Sequence, residues 1–448
     1  MNQCIVLRPF QVECANIIKQ NNGGILSLPP RAGKSFCLLE AIRDKKLNLI
    51  VVPSTIKYQF AKEATLYYPE SKILVISGPN REWISSVKEH TILITSYETL
   101  LRDATKVIPI IFDSISLDEC QKISSPRSKI SKVCHKLNGS MRIAMSGTLV
   151  SNNLIDLWSV VNFIKPGLLG SYWAFRSRYI IPDYFGNIKN YINIDELKDK
   201  IKPIIIQLDS LKSEKPEFTD MTTHIIKFDL SEEERTLYDQ IRTMLLLEIE
   251  EAKINKLDSV VQLQNTLTRL IRLQECVDSL ELLGESNKST KTEKLKEIIS
   301  EINPTPGSKV IVYSRFSRMI EILERELKDH NPLVITGKVK HKQSVIDKFN
   351  ASNEHSILLI TDSASTGTNL YSHCRNIILF DQPYSISKLT QTTSRVISWK
   401  TETRQDVATY ILRANKTIDE KVAKILEKKE LLGKQILSWR DVPDILEY

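Results

Sequence analysis

The residues of this chain that could do chemistry begin with Lys34 and Ser35, near the end of the stretch "LPPRAGKSF" (28–36). Binding a nucleoside triphosphate takes backbone N–H groups at a helix N-terminus, a lysine for the β and γ phosphates, and a hydroxyl for Mg²⁺. Gly33, Lys34 and Ser35 supply a permissive backbone, a cation and that hydroxyl. The full pattern G-x-x-x-x-G-K-[ST] wants a glycine where this chain has Leu28, and Pro29, Pro30, Arg31 and Ala32 fill the interval. A bare G-K-S is a weak signal. It gains weight here because "ILSL" before it reads as a strand and "FCLLEAI" after it as a helix. Residues 29–35 are therefore the expected cofactor loop. A second group follows in "SLDECQ", where Asp118 and Glu119 end an apolar run. An acidic pair at a strand's C-terminal end can hold Mg²⁺ through the Asp and polarise an attacking water through the Glu. An exposed turn is the bland alternative, but the place in the strand order favours chemistry. Ser35 and Asp118 are the expected metal ligands.

The elements that must position these groups read as α/β. "LNLIVVPS", which ends at Ser54, "KILVIS" (72–77), "HTILITSY" (90–97), "IPIIFDSISLDE" (108–119) and "MRIAMSGT" (141–148) read as buried strands. Helix-length stretches separate most of them, which argues a parallel sheet covered on both faces. The middle is helical: Ser231 and Glu234 have capping-box spacing, and Leu237, Ile241, Leu245 and Ile249 form an apolar stripe. "GESNKSTKTEK" (284–294) is polar and reads as a hinge or linker. The alternation then returns in "KVIVYS" (309–314), "PLVIT" (332–336), "SILLITD" (356–362), "NIILFD" (376–381) and "VATYIL" (407–412). The expected division is an ATP-binding lobe over 1–170, a mainly helical insertion and linker over 171–290, and a second lobe over 291–448.

"AMSGTLVSNNLIDLWSVVNFIKPGLLG" resembles the block L-T-G-T-P-x-x-N-N-L-x-E-L-W-S-L-x-N-F-L of the Swi/Snf-type chromatin-remodelling ATPases of helicase superfamily two. Ser146, Gly147, Thr148, Asn152, Asn153, Leu154, Leu157, Trp158, Ser159, Asn162 and Phe163 fall in register. Other pieces fall into the family's order. "LRPFQ" (7–11) is similar to L-R-P-Y-Q, whose Gln, here Gln11, would contact adenine. "LIVVPSTIKYQF" and "ITSYETL" resemble DNA-side motifs, which implies backbone contacts near Pro53, Ser54, Ser96 and Tyr97. "KVIVYSRF" resembles motif IV, and Thr336, closing "PLVIT", is placed with the coupling residues. "LLITDSASTGTNL" resembles motif V, with Gly367 on the nucleotide side and Asn369 on the nucleic-acid side. "DQPYSISKLTQTTSR" resembles the approach to motif VI, with Gln391 and Arg395 matched. "TIDEKV" (417–422) is similar to the family's close.

The resemblance covers nearly the whole chain and implies two RecA-like doubly wound parallel-sheet lobes with a helical insertion, closing on ATP and Mg²⁺. It implies a motor that tracks on nucleic acid, in all expectation double-stranded DNA. Lys34, Asp118, Glu119, Gln121 and Arg395 would carry hydrolysis, and Ser146 and Thr148 would couple it to the nucleic-acid side. The departures are specific. Arg31 replaces the first glycine of G-x-G-K-T, the acidic box reads D-E-C-Q with Gln121, and Ser398 stands where motif VI has its second arginine. An R-R-x-K element is missing near "IIIQLDSLKSE". Losing one of two arginines could slow hydrolysis severely, since such a finger is worth about 10³–10⁵ in rate. Two alternatives stay open: a strand-separating helicase, and a nucleotide-regulated DNA-binding protein that scarcely hydrolyses.

Composition sets outer bounds. The 448 residues suffice for two or three domains, and 42% hydrophobic with 26% charged residues is ordinary for a globular protein. The excess of 62 basic over 54 acidic residues, +8, is compatible with nucleic acid and equally with a lysine-rich surface. No apolar run is long enough to span a membrane, and no secretion signal opens the chain. Seven scattered cysteines read as buried thiols in a reducing, intracellular compartment, the nucleus or the cytoplasm of a bacterial or virus-infected cell. Cys134–His135 and His373–Cys374 lack metal-ligand spacing, so no zinc is expected. The compact length and 14 glycines suggest a divergent version from a virus, phage or extrachromosomal element, acting as a monomer.

Overall fold

The computed structural model describes residues 6–84, 87, 89–147, 154–184, 188–214, 221–254, 260–286, 288–302, 309–339, 342–351, 356–362, 374–383, 386–393 and 407–437. The chain forms two compact units: residues 1–217 with 428–448, and residues 218–427. The division falls inside the stretch 171–290, so that stretch is shared between the two units.

The first unit is built on strands β1 (Gly23–Ser27), β2 (Leu47–Val52), β3 (Lys72–Ile76), β4 (Thr91–Ser96), β5 (Ile111–Leu117) and β6 (Asn138–Ser146). A short antiparallel pair, β7 (Ile180–Pro182) and β8 (Ile188–Tyr191), stands apart, and β9 (Ile205–Ile206) returns to the main sheet. The order is β3-β4-β2-β5-β6-β1-β9, and every pairing is parallel. Every residue of β2 and β4 is buried, as expected for strands covered on both faces. Asn48 and Ser114, polar residues inside this sheet, are paired with each other. Asn48 on β2 accepts from Ser114 Oγ at 2.5 Å and donates to the Lys45 carbonyl at 2.9 Å. Four helices bear on the site: α1 (Pro9–Gln20), α2 (Lys34–Ala41), α3 (Lys57–Tyr67) and α4 (Tyr97–Arg102).

The second unit has strands β10 (Met221–Phe228), β11 (Lys309–Tyr313), β12 (Leu333–Ile335), β13 (Ile357–Ile360), β14 (Cys374–Leu379) and β15 (Val407–Ala414). Their order is β10-β15-β14-β11-β13-β12, again parallel. The helix Glu232–Ile254 starts with the expected capping box. Glu234 N–H donates to Ser231 Oγ at 3.4 Å, and Ser231 N–H donates back to the Glu234 carboxylate at 2.8 Å. Leu245 is buried in the core of this unit, with Leu237 and Ile241 packed against it.

The polar segment 284–294 is not the linker its composition suggests. It runs into the helix Thr290–Ile302, and Lys291 and Thr292 are buried. The reason is ionic. Lys291 Nζ donates to Asp278 at 2.8 Å and to Asp419 at 3.0 Å, so carboxylates inside the core accept the cation. Among the described residues six cysteines are present, all buried, and no helix is long and apolar enough to cross a membrane.

Candidate nucleotide site

The site lies at the C-terminal ends of β1, β5 and β6, which are neighbours in the sheet order β5-β6-β1. Register holds their ends level: Ser27 pairs with Ser146, and Leu117 with Ala144. Crevices at the carboxyl ends of parallel strands are where open α/β sheets bind ligands.

After β1 the chain makes a turn in which Ala32 N–H donates to the Pro29 carbonyl at 3.3 Å. Gly33 follows at φ 78° and is the N-cap residue of α2, which no side chain caps. The Lys34 ammonium donates to the carbonyls of Leu28 at 3.0 Å and Pro29 at 3.1 Å. Burial lowers the pKa of Lys34, while the charges of Glu119 and Asp118 pull it back upward. Gln11 braces the loop from α1. Its Nε2 donates to the Ala32 carbonyl at 3.1 Å, and its Oε1 accepts from Arg8 N–H at 3.0 Å. A Cβ at position 33 would also crowd the Gln11 side-chain amide, which would have to shift off the Ala32 carbonyl. Sequence reasoning placed Gln11 at adenine; its side chain here holds the loop. Arg31 has φ 67°, a left-handed conformation that costs an L-residue about 1–2 kcal/mol.

After β5, Asp118 N–H donates to the Val51 carbonyl at 2.9 Å, fixing the turn to the neighbouring strand. The Asp118 carboxyl pKa is pushed up to about 7, first by burial and then by the charge of Glu119, with Lys34 opposing. Glu119 is also left-handed, at φ 49°. Strain of this kind concentrates at functional sites. Gln121 joins the two halves of the site. Its Nε2 donates to Glu119 Oε2 at 2.6 Å, and its Oε1 accepts from Ser146 Oγ at 2.9 Å. This single amide orientation satisfies both partners, since a carboxylate only accepts. Gly147 lies against this loop, where a Cβ would rest 3.4 Å from the Pro30 ring.

The residues suit a magnesium-bound triphosphate. An uncapped helix N-terminus and Lys34 suit anionic oxygens. A half-buried carboxyl raised toward neutrality is one that a divalent cation would return to its charged form.

Comparison with known proteins places the chain in a family. The SNF2-related domain model matches residues 15–282, and the helicase conserved C-terminal domain model matches 290–400. The chain belongs to the SNF2-related family. It is 28% identical to an uncharacterized ATP-dependent helicase of Mycoplasma genitalium, over 97% of this chain and 43% of that protein. It is 25% identical to the putative ATP-dependent helicase/translocase YwqA of Bacillus subtilis, over 96% of this chain and 49% of that protein. It is 27% identical to the DNA repair and recombination protein RAD26 of Saccharomyces cerevisiae, over 79% and 34%. The chain thus spans under half the length of these curated relatives. A solved SWI2/SNF2 ATPase core from Sulfolobus solfataricus, in complex with dsDNA, aligns over 97% of this chain and 93% of that one. Identity is 26% and the TM-score 0.46.

The remaining expected residues of this SNF2-related chain divide into four groups. Pro53 and exposed Ser54 follow β2 at the same edge of the sheet as the site. Ser96 and Tyr97 turn inward. Ser96 is buried as the N-cap of α4 and accepts from Thr99 N–H at 3.2 Å, while the Tyr97 hydroxyl donates to the Asp118 carbonyl at 2.6 Å. The Tyr97 side chain thereby supports the acidic turn, and Ser96 starts the helix that carries it. Thr336 follows β12, and its Oγ1 accepts from Lys338 N–H at 3.4 Å. Thr148, Gly367, Asn369, Arg395 and Ser398 lie outside the described residues.

Proposed function

We propose that this protein is a nucleic-acid-dependent ATPase that moves along double-stranded DNA. The carrying observation is the convergence of Lys34, Asp118, Glu119 and the Gln121–Ser146 link at the ends of three adjacent strands, in a chain of the SNF2-related family. Lys34 and the α2 N-terminus would hold the phosphates. Ser35 and Asp118 would hold Mg²⁺, which supplies charge neutralisation between the phosphate oxygens. Glu119 would accept the proton of the attacking water. Arg395 would add a cation for transition-state charge, and Ser146 and Gln121 would report the state of Glu119 to the nucleic-acid side. The name of the relative RAD26, a DNA repair and recombination protein, supports DNA as the polymer. The resemblance of the block around 154–163 favours duplex over single strand. We read the active species as a monomer.

The test is steady-state ATP hydrolysis with no nucleic acid, with duplex and with single-stranded DNA, beside Lys34→Ala and Glu119→Gln. Duplex-stimulated turnover that both substitutions abolish is the expected result. A triplex-displacement assay run beside a strand-displacement assay separates translocation from unwinding. ATP binding without turnover on any nucleic acid would overturn the motor reading.

A further inference from the structure

The helix Lys129–Lys136 of the first unit carries an unneutralised row of cations. Lys129, Lys132 and Lys136 are exposed, and spacings of three and four residues put them on one helix face. Exposed Arg127 precedes them. From Cys120 to Ile155 the chain has no aspartate or glutamate. Among the described residues none of these four cations makes an ion pair. Elsewhere carboxylates neutralise surface lysines: Lys294 meets Glu297 at 2.6 Å, Lys296 meets Glu326 at 2.9 Å, and Lys338 meets Glu321 at 2.7 Å. The row works against its own helix. Like charges three and four residues apart repel, and a cation in the first turn opposes the helix dipole, as Lys129 does at the first position. The opposite face is fixed. Ser131 Oγ donates to the Ile123 carbonyl at 2.6 Å, Cys134 is buried, and Ile130 and Val133 pack against the core of the unit. The helix runs from the carboxyl edge of the sheet, after β5, to the amino edge, where β6 begins at Asn138. Lys136 therefore lies at the edge opposite the nucleotide site, Pro53 and Ser54. A row of ammonium groups without carboxylates fits a row of phosphates. Lys129 to Lys136 covers about 10 Å at about 1.5 Å per residue. A duplex presents one charge per about 1.7 Å of its axis.

We propose that Lys129, Lys132 and Lys136 form a second contact for the phosphate backbone of double-stranded DNA, on the flank of the first sheet rather than at the strand ends that carry the nucleotide site. The inference rests on the DNA reading of the protein and extends it to a surface outside that site. Phosphate contacts of this kind add affinity without reading sequence.

The test measures binding of a fluorescent duplex of mixed sequence to the full chain over a series of salt concentrations. One variant replaces Lys129, Lys132 and Lys136 together by glutamine. A control replaces Lys294, Lys296 and Lys338 by glutamine, which removes the same charge from lysines that already have partners. The first variant should bind duplex about tenfold more weakly, and its log–log salt slope should fall by about 2–3, at about 0.9 per lost phosphate contact. The control should change affinity less than about threefold. Unstimulated ATP hydrolysis should match the unaltered chain in both. Thermal unfolding of the first variant should come at the same temperature or higher, since glutamine suits a helix and the repulsion is gone. The single substitution Lys132→Gln, which should lower the slope by about 1, serves if the triple variant does not fold. Equal affinity and slope in the first variant and the control overturn the inference and leave the motor reading standing. Unchanged duplex binding with weakened binding of polyglutamate overturns it too, because the row would then serve an acidic polypeptide. Failure of the unaltered chain to bind duplex at any salt concentration overturns both readings.

Discussion

The Tyr97 hydroxyl donates to the main-chain carbonyl of Asp118 at 2.6 Å, tying the start of α4 to the acidic turn after β5. Tyr97 is buried, so water cannot replace this bond. Tyr97→Phe keeps the ring and removes only the hydroxyl. It should cost about 1–2 kcal/mol of stability, the range for an orphaned buried acceptor. If the bond holds Glu119 in its left-handed geometry, kcat for ATP should fall about tenfold with KM little changed, because the phosphate loop is untouched. Denaturant unfolding and steady-state kinetics on the same preparation check both. Unchanged kcat at lowered stability would make Tyr97 a packing residue only.

Asp118 predicts an opposition between stability and activity. Its carboxyl pKa is about 7 in the fold, against about 4 for a free aspartate. Between these values the native state keeps a proton that the unfolded chain has released. Stability of the nucleotide-free protein from this group therefore falls as pH rises from about 4 to about 7, and the full penalty remains above that. Asp118→Asn carries no charge to bury. At pH 8 it should raise Tm by about 2–4 °C while abolishing hydrolysis. Thermal scans at pH 5 and pH 8 give the check: the gain over the unaltered protein should be larger at pH 8. A loss of Tm at pH 8 would contradict the burial account.

The strand elements were legible because parallel sheets covered on both faces favour largely apolar runs, as in "LNLIVV" of β2, "KVIVY" of β11 and "ILLI" of β13. β10 was missed since most of "MTTHIIKF" is exposed and half of it is polar, so its pairing with β15 rather than its own composition makes it a strand. β9 is two residues long and has no periodicity to read. At the site, Gly33, Lys34, Asp118 and Glu119 were visible because phosphate and metal chemistry dictate residue type. The inward roles of Gln11, Ser96 and Tyr97 were not, because a hydrogen bond to a main-chain N–H or carbonyl leaves no constraint on the partner's side chain. The polar stretch 284–294 misled for the converse reason: a buried lysine is acceptable only with carboxylates distant in sequence, here Asp278 and Asp419.

That ionic cluster gives a prediction for the second unit. Lys291 is fully buried between Asp278 and Asp419, and Gln274 donates to Asp419 at 2.8 Å. Removing the cation leaves two carboxylates facing each other without water. Lys291→Met should destabilise by about 3–5 kcal/mol, the range for breaking a buried pair. The triple replacement of Lys291, Asp278 and Asp419 by apolar residues of similar volume should restore much of it. Denaturant titrations of the two variants decide this. A single variant as stable as the unaltered chain would show that the cluster carries little net energy.

Gln121 offers the sharpest test of communication within the site, because it touches Glu119 on one side and Ser146 on the other. Ser146→Ala removes one hydrogen bond and leaves Glu119 held. Gln121→Ala removes both. If the two contacts form one relay, the single substitutions should each cut DNA-stimulated hydrolysis about tenfold while lowering unstimulated turnover less. The double variant should then be no worse than Gln121→Ala alone, since residues in one network are not additive. Independent, multiplying losses would mean that Ser146 acts elsewhere. Gln121→Glu sharpens the argument. It places a second carboxyl where the amide now donates to Glu119, and the pair resists losing both protons. The acid limb of its pH–rate profile should move to higher pH, a shift that Ser146→Ala should not share.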